Sequence, residues 1–258
     1  MAFASGNPAL SVLDRVEQGG GGQPSYEAAA ASTMTIQGTV NKLFIMLGIA
    51  LVTATIAWSQ AAANPQLLMG LWIGGAIGGL ILALITCFKP HVAHVTAPIY
   101  AAFEGLFLGA ISVWAQTLVG PNVPIVMQAA GLTFGTMLTM LVCYKTGIIK
   151  PTEKFKAFMS AAIGAVLLFY IVSIVMGLFG VHIRGIHTGG PLAIGITLFI
   201  IGIAALSLIL DFDFIVKGEA AGLPRKMEWF SPFGRMVTLV WLYIEFLRLL
   251  IILYASRE

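Results

Sequence analysis

The composition of this 258-residue chain excludes an ordinary water-soluble domain. Hydrophobic residues make up 59% of it and charged residues only 10%, whereas soluble domains carry about 25% charged residues. The formal net charge of +3 is small, and the basic residues stand in short connections without interleaved aromatics, which argues against a nucleic-acid-binding surface. The apolar residues come in runs of about 20, the length that a helix needs to cross a bilayer. The sequence therefore predicts an all-α integral membrane protein with lipid as its main surroundings.

The first 32 residues are predicted to form a disordered cytoplasmic tail, followed by a transmembrane domain over residues 33–258. Residues 19–22 are all glycine, and prolines and serines are scattered around them. Such a segment cannot bury enough apolar surface to fold. Because no apolar run follows a basic start, we expect no cleaved signal peptide.

Seven apolar runs follow in chain order, separated by short polar breaks. Residues 64–65 mark a tight turn after the first run, and residues 120–122 separate the third from the fourth. A basic loop precedes the fifth, residues 189–191 open the sixth, and a polar connector around Pro224 precedes the seventh. The first six predicted spans cover residues 43–62, 67–88, 95–119, 123–144, 157–180 and 191–216, and the seventh lies within residues 227–254.

The distribution of basic residues predicts the orientation of the bundle, because lysine and arginine resist translocation. Arg184 and Arg257 fall on the side opposite the N-terminus, and Arg248 falls within the seventh span. These positions predict a cytoplasmic N-terminus and an external C-terminus. The remaining eleven of the 14 basic residues fall on the N-terminal side: Arg15, Lys42, Lys89, Lys145, Lys150, Lys154, Lys156, Lys217, Arg225, Lys226 and Arg235.

Glycines on the second span repeat with the spacing that lets membrane helices approach closely. Gly70, Gly74 and Gly78 recur every four residues, the small-xxx-small pattern of helix interfaces. This pattern predicts that the second helix lies inside the bundle. A flexible gating helix is the alternative interpretation.

Acidic residues within the spans are the most informative feature for function. Glu104 lies in the middle of the third span, Asp211 and Asp213 near the end of the sixth, and Glu245 deep in the seventh. A charge at the bilayer centre costs about 2.5–3.5 kcal/mol on insertion scales, so such residues usually have a function. A structural alternative is an ion pair between Glu245 and Arg248, which share a helix face, with both aspartates and Arg248 reaching toward the interface.

Geometry limits which acids can share one site. Asp211 and Asp213 point about 200° apart on a helix, so at most one of them can face a common interior site. Two acids held close together in a low dielectric cannot both ionise easily, and such a pair titrates as a unit. It acts as a proton switch, and its oxygens can bind a hard cation such as Ca²⁺ once the protons leave.

Several segments together resemble one family. Residues 33–42, 100–109, 206–215, 226–229 and 241–250, among them the Lys-Met-Glu-Trp run that ends at Trp229, are similar to the YccA-like bacterial branch of the Bax inhibitor family. The resemblance covers nearly the whole chain after the tail. It implies seven transmembrane helices with the last one central, in the bacterial inner membrane, and a pH-controlled ion leak, typically of calcium.

The resemblance also implies which acids sense pH. By position in the family's patterns, the pair falls on Asp211 and Glu245, which are therefore expected to contact each other. Glu245 stands where aspartate is expected, and the basic latch residue that relatives carry on an early helix has no clear match here. The connector between the sixth and seventh helices also looks long.

The leading functional hypothesis is a cation leak gated by protonation of Asp211 and Glu245, without a cofactor. The alternative is a membrane-embedded regulator of a membrane protease or of a stress response, acting through the tail and the basic loops. An enzyme is not expected, because no nucleophile elbow or zinc-protease motif occurs. Cys87 and Cys143 lie in apolar runs without metal-ligand spacing. The four histidines fall in loops or at the interface.

Overall fold

The computed structural model of the chain describes residues 33–179 and 190–255, so the predicted tail lies outside the described part. Seven of its helices are long and apolar enough to cross a membrane, which confirms the predicted fold class. A short 3-10 turn over Pro90–Val92 leads into the third of them. The helices are α1 (Ile36–Ala63), α2 (Pro65–Phe88), α3 (Ala93–Val119), α4 (Ile125–Lys145), α5 (Glu153–Leu178), α6 (Pro191–Ala220) and α7 (Met227–Ala255).

Local sequence explains where several helices begin. The Thr35 side chain accepts a hydrogen bond of 2.9 Å from the Gly38 N–H and caps α1. Proline occupies the first position of both α2 and α6, where its missing N–H has no partner to lose. These signals place the helix starts close to the polar breaks in the sequence.

The connector between α6 and α7 is shorter than predicted. Helix α6 continues to Ala220, four residues past the predicted end, and α7 begins at Met227, which leaves only residues 221–226 between them. Gly222 takes a φ of 63° in this turn, a backbone conformation that favours glycine. The prediction was wrong because the end of an apolar run marks the edge of the hydrocarbon rather than the end of the helix.

Helix α7 is central, as the family resemblance implies. It packs against α1, α3, α4 and α6, and half of its most apolar stretch is buried, compared with 11% in α2. Leu208 of α6 and Leu242 and Leu247 of α7 are fully buried in the main hydrophobic core. The buried charged residues Arg235 and Glu245 belong to this central helix.

The prediction that α2 lies inside the bundle was wrong. A Cβ atom on Gly75 would lie 2.6 Å from the Phe107 backbone nitrogen of α3, so this glycine does permit a close approach. The space around Gly70 and Gly74, in contrast, is open to at least 4 Å. The second half of the glycine pattern, which includes Gly75 and Gly78, packs against α3, and the first half faces outward.

A second small-residue pattern, on α3, packs against α1. Ala97 and Ala101 are fully buried, and Gly105 and Gly109 continue the same four-residue spacing. A Cβ atom on Gly105 would lie 2.4 Å from the carbonyl oxygen of Ala50. The backbones of α1 and α3 thus approach each other where these small residues meet.

Helices α1 and α7 begin at the same end of the bundle. The Met34 N–H donates a hydrogen bond of 2.7 Å to the Leu223 carbonyl oxygen, which joins the start of α1 to the connector before α7. We call this the basic end, because Lys42, Arg225 and Lys226 lie there. Since α7 runs for 29 residues, its last turn lies at the opposite end, as an odd number of crossings requires.

Candidate functional site: acidic side chains within the spans

Asp211 contacts α7 through a neutral donor and lies near a buried cation. The Thr238 hydroxyl donates a hydrogen bond of 2.9 Å to Asp211 Oδ2. Arg235, one turn earlier on α7, is only 5% exposed, and its guanidinium lies 4.5 Å from the centroid of the Phe212 ring. The Asp211 carboxylate is close enough to Arg235 to interact with it electrostatically. The hydrogen bond from Thr238 and the positive charge of Arg235 offset the cost of placing the Asp211 carboxylate inside the membrane.

The position of Arg235 corrects the orientation analysis, which assigned it to a cytoplasmic segment. In the structure it is the ninth residue of α7 and its side chain is buried. The spans thus contain a second base in addition to Arg248. The sequence placed only Arg248 within a span, so the positive charge inside the bundle is larger than predicted.

Glu245 occupies a different environment, at the contact between α7 and α5. It is 2% exposed, and the Tyr170 hydroxyl of α5 donates a hydrogen bond to its Oε1 atom. Its other oxygen, Oε2, is buried and forms no hydrogen bond of regular geometry within the described residues, with Trp241 of α7 as the nearby donor. Arg248 lies one turn further along α7 and interacts electrostatically with both Glu245 and Tyr170. A buried carboxyl oxygen without a regular hydrogen bond favours the protonated acid or an arriving cation.

The structure does not bring Asp211 and Glu245 together. Asp211 lies level with Thr238, to which it is bonded, and Glu245 follows Thr238 by seven residues, which is two turns or about 10 Å of helix. Calcium binds oxygen ligands at about 2.3–2.6 Å, so one ion cannot contact both carboxylates at this spacing. In the described residues, no three acidic, histidine or cysteine side chains are grouped where they could hold a metal ion.

Asp213 forms ion pairs at the basic end, on another face of α6 from Asp211. Its Oδ2 atom lies 2.7 Å from Lys217 Nζ and 3.8 Å from Lys156 Nζ of α5. This agrees with the geometric argument that the two aspartates face different neighbours. The structural alternative predicted for Asp213 was a position at the interface, and the structure shows ion pairs with two lysines there.

Glu104 lies in a third environment, between α3 and α2. It is 9% exposed, and a Cβ atom on Gly79 of α2 would lie 2.8 Å from its Oε1 atom. Tyr100, one turn earlier, packs edge-on against Phe233 of α7 with the ring centroids 4.9 Å apart. Glu104, Asp211 and Glu245 therefore occupy three separate sites in the bundle.

Comparison with known families now decides the identity. The sequence profile described as Bax inhibitor 1 like matches residues 7–255. The chain belongs to the Bax inhibitor 1-like family. Searches among curated proteins and among solved structures found no significant match.

Sequence reasoning missed Glu228, the acid in this Bax inhibitor 1-like protein with the most polar contacts. It is 2% exposed and accepts hydrogen bonds from the Thr35 N–H at 3.0 Å and the Thr35 hydroxyl at 2.9 Å. Lys42 Nζ also donates to it, and Arg225 Nε lies 3.8 Å away. Thr35, Lys42 and Glu228 belong to two of the segments that carry the family resemblance, 33–42 and 226–229. Their presence in family-like segments could have drawn attention to Glu228, although sequence alone does not show that the two segments are in contact.

Proposed function

We propose that this Bax inhibitor 1-like protein is a passive cation leak, with calcium as the transported ion, and that protonation of its buried acids controls the flux. The observation that carries the proposal is Glu245, whose Oε2 atom is buried in the central helix without a hydrogen bond of regular geometry in the described residues. A carboxyl group in such a site is poorly suited to a purely structural role, because an unsatisfied buried oxygen is costly. It is well suited to exchanging a proton for a cation.

The geometry supports two separate acidic sites, at two levels along α7, instead of one site shared by the two acids. Asp211 lies at the level of Thr238, nearer the basic end, and Glu245 lies two turns deeper beside Tyr170. Each site has one arginine close by: Arg235 is near Asp211, and Arg248 is near Glu245. When a proton leaves either acid, the nearby arginine and a passing cation compete for the carboxylate. Proton loss thus changes the free energy of a cation at that level of the path.

Flux measurements test the proposal. Purified protein in liposomes should release calcium at a rate that changes between about pH 5 and about pH 8, the range in which a desolvated carboxyl can titrate. Glu245→Gln should remove most of this pH response, because glutamine keeps the shape but cannot titrate. Asp211→Asn should alter the response separately, with effects close to additive, since the two sites share no partner.

Glu153→Gln is the matched control, because Glu153 is the first residue of α5 and its side chain is 88% exposed. This control should leave both the flux and its pH profile unchanged. A Glu245→Gln variant that keeps the full pH response would contradict the proposed sensor. Absence of calcium flux in the wild-type liposomes would overturn the leak and favour the alternative, a regulator of a membrane protease.

We also propose that the protein belongs to the YccA-like bacterial branch and lies in the inner membrane with its N-terminus in the cytoplasm. The motif similarity supports the branch, and the excess of lysine and arginine at the basic end supports the orientation.

Topology reporters test this orientation. Fusions at Lys150 and Arg225 should read as cytoplasmic, and fusions at Asn64, Gly120 and the C-terminus as external, because the basic connections remain on the cytoplasmic side. The opposite pattern at all five positions would invert the orientation. A C-terminus on the same side as Arg225 would contradict a seventh crossing.

A further inference from the structure

A cavity of about 420 Å³ opens at the basic end, between three helices that meet near the membrane surface. Helices α1 and α3 contribute one residue each, and the connector before α7 and the first turn of α7 contribute the rest. Its lining consists of Lys42, His94, Arg225, Lys226 and Trp229. The lining thus combines three permanent cations with a histidine and an aromatic ring.

Glu228, behind this lining, holds part of it in place. Its carboxylate bonds Lys42 and lies 3.8 Å from Arg225 Nε. The Lys42 ammonium in turn lies 5.7 Å from the centroid of the Trp229 ring. With one carboxylate against three permanent cations, the immediate surroundings keep an excess of positive charge. The cavity, which is wide open to its surroundings, therefore favours an anion.

We propose that this cavity binds the phosphate of an anionic phospholipid headgroup. Basic pockets between transmembrane helices at the cytoplasmic surface suit such headgroups, and each lysine or arginine contributes about 1 kcal/mol to anionic membrane attraction. Arginine adds planar, paired donors that match phosphate oxygens. The inference does not depend on the proposed cation leak.

The surroundings of the cavity indicate a lipid as the source of the phosphate. Val95, next to His94, is 51% exposed, and Phe88, at the end of α2, is 82% exposed. Such apolar side chains on the outer surface of a membrane protein contact acyl chains. Trp229 at the rim is the type of residue that stands at headgroup level. A phosphate in the cavity can therefore remain attached to a lipid whose chains lie along the outer helix surface.

Binding to short-chain lipids tests the proposal on the purified full-length chain in a neutral detergent. Short-chain phosphatidylglycerol should bind saturably and raise the unfolding temperature, whereas phosphatidylcholine of the same chain length should not. The double variant Arg225→Gln with Lys226→Gln should weaken phosphatidylglycerol binding about 30-fold. Each cation removed lowers the affinity about fivefold, and the two factors multiply. Lys226→Arg, which keeps the charge, should retain wild-type affinity.

The matched control is Lys145→Gln with Lys150→Gln, which removes two exposed cations from the connection between α4 and α5. It should change the affinity by less than about twofold, because these charges lie outside the cavity. Equal weakening in both double variants would show a diffuse surface attraction and overturn the site. Saturable binding of inorganic phosphate with the affinity of the lipid would overturn the lipid assignment. If the Arg225 and Lys226 variant fails to fold, Lys226→Gln alone should still weaken binding about fivefold.

Discussion

Glu228→Gln should destabilise the folded protein by about 3 kcal/mol, the lower end of the range for removing one partner of a buried ion pair. Glutamine can still accept the two hydrogen bonds from Thr35, but its amide cannot neutralise the Lys42 ammonium. Lys42 is only 17% exposed at its side chain, so water compensates the lost charge poorly. Because Thr35 and Lys42 belong to α1, the variant weakens the attachment of α1 to the central helix. The midpoint of unfolding by a denaturing detergent measures the effect.

Glu153→Gln serves as the control for this substitution, since it also removes a lysine partner. Glu153 lies 2.7 Å from Lys156, but its side chain is 88% exposed, and exposed pairs contribute about 0–1 kcal/mol. The added variant Lys42→Met should restore part of the stability lost in Glu228→Gln, because no unpaired cation then remains. Equal losses of stability in Glu228→Gln and Glu153→Gln would show that the buried ion pair stabilises the protein no more than the exposed one.

The spans could be predicted because the bilayer imposes a simple requirement on length. About 20 apolar residues are needed for each crossing. Each of the seven predicted runs coincides with a helix that is long and apolar enough to cross a membrane. Helix ends were harder to predict, because helices continue beyond the hydrocarbon. Lys217 and Glu219 are polar, yet both belong to the last turns of α6. The same effect hid Arg235, which lies inside α7 although it was assigned to a cytoplasmic segment.

The acids of the candidate site could be identified from sequence, but their partners could not. Charged residues in apolar runs are visible in one dimension, whereas the donors from Thr238 and Tyr170 depend on how α5, α6 and α7 pack together. The expected contact between Asp211 and Glu245 assumed that family positions meet in space. In this structure two helical turns separate them, and each acid has its own donor.

Glycine spacing shows the same limit. The pattern on α2 contains more glycines, yet Gly70 and Gly74 face open space, whereas Gly105 on α3 approaches the backbone of α1. Spacing shows that a helix could pack closely, but only the partner determines whether it does. Small residues on the opposing helix, here Ala50, Ala54 and Ala57, are the additional signal, and they lie about 50 residues away in the chain.

Gly105→Leu should therefore destabilise the bundle by about 3 kcal/mol or more, at or above the upper end for overpacking a tight interface. Already a Cβ atom there would lie 1.9 Å from Thr53 Oγ1 and 2.4 Å from the Ala50 carbonyl oxygen. A side chain can rotate away, but a backbone carbonyl moves only if α1 and α3 separate. The expected result is a large loss in the unfolding midpoint and in the yield of folded protein.

Gly74→Leu is the matched control, because it makes the same change in a membrane helix where the structure shows open space. It should be neutral or slightly stabilising, since leucine favours the helix over glycine by up to about 1 kcal/mol and its side chain faces lipid. Adding Thr53→Ala to Gly105→Ala removes only the hydroxyl contact, so it should recover part of the stability lost in Gly105→Ala and leave the cost of the backbone contact. Equal tolerance of leucine at Gly105 and Gly74 would contradict the close approach of α1 and α3. A greater loss at Gly74 would instead return α2 to the interior position that its glycine pattern predicted.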